Sequence, residues 1–306
     1  MKAIQYQNFG TSEVIVINEI ETPVIKSPND VLIEVKAASV NPLDIKIRMG
    51  FMQQMRPVAL PFTPGLDAAG IVVAVGENVK NFKIGDEVLA VTMANAYAEM
   101  VVIDERFVAH KPAELSFEEA TSLAVHIGTA ESLLFNEGKL EKGQRVFIQG
   151  AAGAVGATMV QMAKNSGLYI YATASGIGVD MVEELGANEV FDYKTTDMKS
   201  LNIEVDVVLD CAGGTSVNDL FRYIKKGGKL LSIAAMPSLE LAQEKNIDAR
   251  FISSDLTAKN LENGLQQVSD KKLFPIVAKV FPFDQAAQAQ DYLSAGGVNG
   301  KVVLTF

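Results

Sequence analysis

Between the apolar run of residues 145–149 and the helix-like pattern of residues 155–165, the sequence reads Gly150-Ala-Ala-Gly153-Ala-Val-Gly156. Glycines at this spacing allow a tight turn and let main-chain N–H groups approach a pyrophosphate, while the N-terminus of the following helix favours negative charge. The pattern predicts a dinucleotide-binding turn, with Gly150, Ala152, Gly153, Ala154, Val155 and Gly156 as cofactor contacts. The plain alternative is a tight structural turn. In NAD-dependent units a carboxylate at the end of the second strand accepts hydrogen bonds from the adenosine ribose. Here that end reads Tyr171-Ala-Thr-Ala174-Ser175-Gly176, with no carboxylate. Ser175 either leaves room for a 2′-phosphate or, with water, holds the ribose with little discrimination.

Metal and thiol chemistry find little support. Cys211 is the single cysteine, which excludes an intramolecular disulfide and any structural zinc site needing two thiolates, and fits a reducing cytosol. It follows the apolar run 205–210 at the carboxyl edge where ligands bind, and with no basic neighbour it reads as a small packed thiol rather than a nucleophile. His110 and His126 lack metal-ligand spacing. Met49, Phe51, Met52 and Met55 form an apolar cluster that either lines a site for planar substrates or belongs to an ordinary core.

These residues need a scaffold with two textures. The first 110 residues alternate short extended runs (14–17, 30–37, 70–75, 87–90, 98–103) with turn formers, which predicts a β-rich unit. Ser116-Phe-Glu-Glu119 has the form of a helix capping box. From residue 144 onward, strands at 145–149, 168–174, 190–191, 205–210, 229–234 and 250–253 alternate with amphipathic stretches, which predicts a parallel sheet covered by helices. The last stretch, 275–306, reads as strand, helix, Gly-rich turn and strand, and is expected to return to the first domain. The fold class is therefore α/β, with a β-rich domain over 1–115 and 256–306 and a Rossmann, doubly wound parallel-sheet domain over 116–255. The chain has 306 residues, 48% of them hydrophobic, and a formal charge of -10, which supplies no attraction for a phosphate backbone. Nucleic-acid binding, a signal segment and a membrane span are not expected, and the chain is expected in the cytoplasm.

Several motifs carry a resemblance: Ser39-Val-Asn41-Pro42-Leu-Asp44, Pro64-Gly65-Leu66-Asp67-Ala-Ala-Gly70, Gly85-Asp86-Glu-Val88, the glycine turn, Leu185-Gly186-Ala187 and the ending Gly300-Lys301-Val-Val-Leu304. In these the chain resembles the medium-chain dehydrogenases and reductases, specifically the zinc-free quinone oxidoreductase branch with zeta-crystallin and the plant alkenal/one oxidoreductases. The resemblance implies a GroES-like catalytic domain and an NADP(H)-dependent reductase, NAD(H) being the other candidate, that passes hydride to a quinone or enone. A homodimer would form through an edge strand at 250–253. It places Asn41 and Asp44 beside the nicotinamide, Asn41 donating to a substrate or cofactor oxygen and Asp44 fixing neighbouring donors, unless the pair simply forms an Asx-turn around Pro42.

Asp67 is expected near the substrate or as a buried, hydrogen-bonded carboxylate. Met49 and Met52 are expected at the substrate, and Thr129, Tyr193, Cys211, Ala212 and Lys301 at the cofactor. For Thr129 the alternative is a helix hydroxyl bonded to its own backbone, and for Tyr193 an exposed strand end. Ile177 stands where relatives carry a cation for the 2′-phosphate; Lys194 or Lys301 is the expected substitute. The rival reading is a non-enzymatic dinucleotide-binding protein, crystallin-like or regulatory.

Zinc-dependent members carry Cys and His at the positions of Asn41 and Leu66, and an amide and an alkyl chain cannot replace them. Metal analysis of the purified protein is therefore expected to find no stoichiometric zinc. One tightly held zinc per chain, with activity lost on chelation, would contradict this.

Overall fold

The computed structural model describes residues 1–306, the side chains of residues 214–216 excepted. Strands β1 (Lys2–Gln5) and β2 (Val16–Glu19) pair antiparallel. Strand β3 (Asp30–Val40) alternates half-buried and buried residues up to Lys36, the period of a strand with one face in a core, and then buries its last four residues entirely. It leads into helix α1 (Pro42–Arg48), a seven-residue element started by Pro42, whose missing N–H costs nothing in the first turn. Strands β4 (Asp67–Val75), β5 (Glu87–Val91), β6 (Met100–Asp104) and β7 (Val108–His110) follow. Helix α2 (Phe117–Glu131) starts at the expected capping box: Ser116 N–H donates to Glu119 Oε2 at 2.8 Å and Glu119 N–H to Ser116 Oγ at 3.2 Å.

Next come β8 (Arg145–Gln149), α3 (Ala154–Asn165), β9 (Tyr169–Ala174), α4 (Ile177–Leu185), β10 (Glu189–Asp192), β11 (Val205–Asp210), β12 (Ile224–Ser232), α5 (Leu239–Lys245), β13 (Asp248–Phe251) and α6 (Ala258–Ser269). The chain ends with β14 (Val277–Pro282), α7 (Ala286–Ser294) and β15 (Lys301–Thr305).

Two compact units result. The first comprises Met1–Val125, Leu256–Leu261 and Pro275–Phe306, and the second His126–Asp255 and Glu262–Phe274. These bounds differ from the sequence expectation, which places residues 116–125 in the second unit and 262–274 in the first. The first unit is organised by a seven-stranded sheet in the order β14-β15-β3-β4-β5-β7, with β6 also on β3. Strand β3 is its hub: Ala37–Val40 pair with β15, Asp30–Glu34 with β6, and most of its length with β4. Ile33, Val35, Val72, Val88, Val302 and Leu304 fill the core beneath it.

In the second unit six strands, all parallel, lie in the order β10-β9-β8-β11-β12-β13. Strand order reverses between β8 and β11, which is the switch point where doubly wound sheets bind ligands. Phe147 stacks on Tyr223 in this core, ring centroids 4.9 Å apart. Among the described residues no helix is long and apolar enough to cross a membrane.

Gly70 sits in β4 against the main chain of β3, and a Cβ there would lie 2.0 Å from the Glu34 carbonyl oxygen. Relief requires parting the two strands. Gly70→Ala is expected to cost about 2 kcal/mol or more in chemical denaturation; an unchanged midpoint would show that the pair tolerates a side chain.

Candidate active site

In the first unit, β3, α1, β4 and β15 bring a buried polar cluster together. Asn41 caps α1, and Asp44 Oδ2 accepts its main-chain N–H at 2.9 Å. The second oxygen of Asp44 accepts the Gly65 N–H at 3.1 Å, and Tyr97 OH donates to Oδ2 at 3.3 Å. Asp44 thus ties α1 to the turn before β4. Burial pushes its pKa up to about 6; the N–H groups of Asn41 and Gly65 and the charge of Lys301 oppose that rise, and Asp67 adds to it. Burial, then the same two carboxylates, keep the Tyr97 phenol protonated far above its ordinary range.

The side chain of Asn41 also joins the cluster beyond its helix. Its Nδ2 donates to Asp67 Oδ1 at 3.0 Å and lies 3.3 Å from the Ser39 carbonyl, while its Oδ1 accepts from Lys301 Nζ at 2.5 Å. Ser39 Oγ also donates to Asp67 Oδ1. Asp67 is fully buried, and burial raises its pKa against the charge of Lys301 and these hydrogen bonds. Lys301 is 3% exposed, and burial lowers its pKa while both aspartates raise it.

This geometry decides one alternative and revises two expectations. The Asx-turn at Pro42 is instead a helix start. The Asn41 amide hydrogens are committed to Asp67 and Ser39 rather than offered outward. Lys301 is buried against Asn41 and is no surface partner for a phosphate.

A catalytic zinc does not fit here. Leu66 has no donor atom, and the Asn41 oxygen already faces an ammonium group, which a cation would have to displace. No group of three or more His, Cys, Asp or Glu with metal-site geometry occurs among the described residues. Met49 ends α1, but the segment after it is no core: Phe51 is 73% and Met55 70% exposed, with Met52 half-buried. Arg56 ties this segment to the Met93 carbonyl.

In the second unit the remaining candidates, Thr129 apart, gather at the carboxyl ends of β8 to β11. The glycines divide the work. Gly150 turns the chain at φ +77°, its N–H bonded to Thr173 Oγ1 at 3.2 Å. A Cβ on Gly156 would lie 2.3 Å from the Gly150 oxygen, so helix α3 packs on the turn only because that side chain is absent. A Cβ on Gly153 would meet just the Gly150 oxygen, at 3.3 Å. Gly153, the N-cap of α3, therefore has one tight neighbour and is otherwise clear on the side where a pyrophosphate could meet N–H groups and the helix terminus, and the turn fits a dinucleotide. Ala152 is buried, and Ala154 and Val155 form the partly exposed first turn of the helix.

Asp210 closes β11, accepting N–H groups from Ala212 at 3.0 Å and Gly213 at 2.8 Å and the amide of Gln149 at 3.2 Å. It holds the strand end that carries Cys211. Burial and the Asp210 charge push the Cys211 thiol up, which works against thiolate formation. Thr129 is buried in α2.

At the outer strand ends Ser175 Oγ donates to Tyr193 OH at 3.2 Å, with Tyr193 54% exposed. Ile177 opens α4 and is 81% exposed. Asp192, to which the sequence alone assigns no role, ends β10 in register with Ala174 and accepts the Gly176 N–H at 3.3 Å and the Lys194 N–H at 2.9 Å. The signal for it was the pairing of β9 with β10, not anything local.

Comparison with known proteins agrees with the fold of the two units. A family described as alcohol dehydrogenase GroES-like domain matches residues 27–113, and one described as zinc-binding dehydrogenase matches residues 185–304. The chain is 32% identical to a quinone oxidoreductase of Sus scrofa over 99% of its own length and 97% of that protein. It is also 32% identical to the chloroplastic NADPH-dependent alkenal/one oxidoreductase of Arabidopsis thaliana, over 99% of this chain and 79% of the other. The crystal structure of Escherichia coli quinone oxidoreductase complexed with NADPH superposes with a TM-score of 0.90 at 26% identity, covering 100% of both chains.

The glycine geometry separates binding from folding. Gly153→Val is expected to fold with near-native stability and lose at least tenfold in dinucleotide affinity, whereas Gly156→Ala is expected to lower Tm before any ligand is added. Nucleotide titration and thermal melts of both variants check this, and unchanged affinity in Gly153→Val would remove the turn from the site.

Proposed function

The chain belongs to the quinone oxidoreductase branch of the medium-chain dehydrogenase/reductase superfamily, and from that premise we propose that it is a zinc-independent, NADPH-preferring reductase of quinones or α,β-unsaturated carbonyls. A nicotinamide dinucleotide-dependent oxidoreductase is the level at which relatives and structure agree. The observation that carries the proposal is the open face at Gly153 on the switch-point turn, together with a buried polar cluster that has no metal-ligand set.

In this reading the six-stranded unit is the cofactor domain. The N–H groups of the 150–156 turn hold the pyrophosphate, Ser175 and Tyr193 the adenosine end, and Thr129, Cys211 and Ala212 the nicotinamide half. The β-rich unit is the catalytic domain. Asp44 fixes the N–H groups of Asn41 and Gly65, and Asn41 links Lys301 to Asp67, so the reacting end is held by preorganised polar groups. Met49 and Met52 supply an adaptable apolar contact for a planar acceptor. The chemistry supplied by a bound reduced nicotinamide is hydride donation to the acceptor. Negative charge then spreads over the conjugated acceptor, which needs no Lewis acid, and water delivers the proton. The proposal extends to a homodimer joined through the β13 edge, where unpaired main-chain groups accept a partner strand.

Cofactor preference follows from charge. No carboxylate ends β9, and Ser175, Tyr193 and Lys194 can bond a 2′-phosphate; Asp192 and the apolar Ile177 work against it. The preference for NADPH is therefore modest, since one charge-assisted contact is worth about 1.5 to 3 kcal/mol.

An absorbance assay with a panel of quinones and enones is expected to show acceptor-dependent NADPH oxidation, with kcat/KM above that for NADH, increased bias in Ile177→Lys and reversed bias in Ser175→Asp. Cofactor binding without turnover on any acceptor would favour a non-enzymatic protein. Wild-type preference for NADH, with Ser175→Asp silent, would displace the adenosine end from this strand terminus.

A further inference from the structure

Lys301 opens β15 and is buried, although an ammonium group taken out of water is costly unless it is paired and hydrogen-bonded. It reaches Asn41, which in turn reaches Asp67. An ammonium group only donates and a carboxylate only accepts, so an amide between them has one permitted orientation, with Oδ1 toward Lys301 and Nδ2 toward Asp67. Asp67 is itself only partly compensated. Oδ1 takes hydrogen bonds from Ser39 and Asn41, while Oδ2 meets no partner in full hydrogen-bond geometry, the Val125 N–H on α2 being the main-chain group that faces the carboxylate. A buried carboxylate with one oxygen so placed stays ionised only if a cation is near.

We propose that Lys301 is the positioning residue of this site: its ammonium, acting through the Asn41 amide, keeps the Asp67 carboxylate ionised and fixed in orientation. Its importance for turnover rests on the oxidoreductase reading; its hold on Asp67 does not. The charged and titratable groups of the same unit that act on the pair are Asp44 on α1, which bears on both Lys301 and Asp67, and Tyr97 before β6, which donates to Asp44. Asp44 is tied to main-chain N–H groups of Asn41 and Gly65, and its charge acts on Lys301 second to that of Asp67. Remove the ammonium and the low-energy response is proton uptake by Asp67, which turns an acceptor into a donor toward Asn41 and frees the amide to rotate.

The sign of the pH effect follows. Burial holds the Asp67 pKa above its unfolded value, so the folded state carries the extra proton and stability falls as pH rises from about 4. Lys301 limits that window. Its removal extends the window upward, so the deficit of Lys301→Met relative to wild type should grow with pH.

The test compares wild type, Lys301→Met, Lys301→Arg and the neutral pair Lys301→Met/Asp67→Asn, reading Tm and NADPH-dependent kcat from pH 5 to 9. The expected results are a Tm deficit in Lys301→Met that widens with pH, at least a tenfold loss of kcat at pH 7, and an acid limb moved to higher pH. Lys301→Arg should keep the limb in place. The neutral pair should recover Tm without recovering kcat, and it provides a folded comparator if Lys301→Met alone does not fold.

A Tm deficit independent of pH with an unmoved acid limb would overturn the proposal, as would full kcat in the neutral pair. If wild type reduces no acceptor, the oxidoreductase reading fails, and the pH dependence of Tm still decides whether Lys301 governs Asp67.

Discussion

Two carboxylates and an ammonium group buried in one unit, with no water-exposed face to relieve them, set a constraint that much of the first unit serves. Asp67 and Asp44 remain tolerable inside only because every strand end around them contributes a donor: Ser39 from β3, the Asn41 amide and N–H from the start of α1, Gly65 from the turn before β4, and Lys301 from β15. The sheet order puts β15 and β4 on opposite edges of β3, so the three strands must meet at its C-terminal end for the charges to be satisfied. The resemblance puts the thiolate and imidazole of zinc-dependent members at Asn41 and Leu66 of this cluster. Here the positive charge is covalently part of the chain.

The second unit solves a different problem with less machinery. A parallel sheet leaves its strand ends and the N-terminus of α3 facing the same side, and the turn between β8 and α3 has only to avoid filling the space it encloses. Three glycines do this for separate reasons: backbone angle at Gly150, open space at Gly153 and close packing at Gly156. Asp210 then fixes the neighbouring strand end by accepting N–H groups from the residues after it.

Features set by local chemistry were legible in the sequence. The glycine turn, the capping box at Ser116 and Glu119, and the alternation of strands and helices after residue 144 each repeat a pattern that neighbours in the chain enforce. Helix α1 escaped notice because its seven residues follow a long strand and Asn41-Pro42 imitates a turn. The contact of Lys301 with Asn41 spans 260 residues and has no local signature. Asp192 was overlooked for the same reason: it comes beside Ser175 by pairing of β9 with β10, not by proximity in the chain. The exposure of Phe51 and Met55 likewise depends on where their loop lies rather than on composition.

On the proposed function, this chain moves a hydride from a nicotinamide to a conjugated acceptor without a metal. Incubation with NADPH deuterated at the transferable C4 position and an enone, followed by mass spectrometry and NMR of the product, tests that claim most directly. Deuterium is predicted at the β-carbon of the reduced enone, with a primary isotope effect on turnover. A reduced product that carries no deuterium, or deuterium exchanged into solvent, would contradict it.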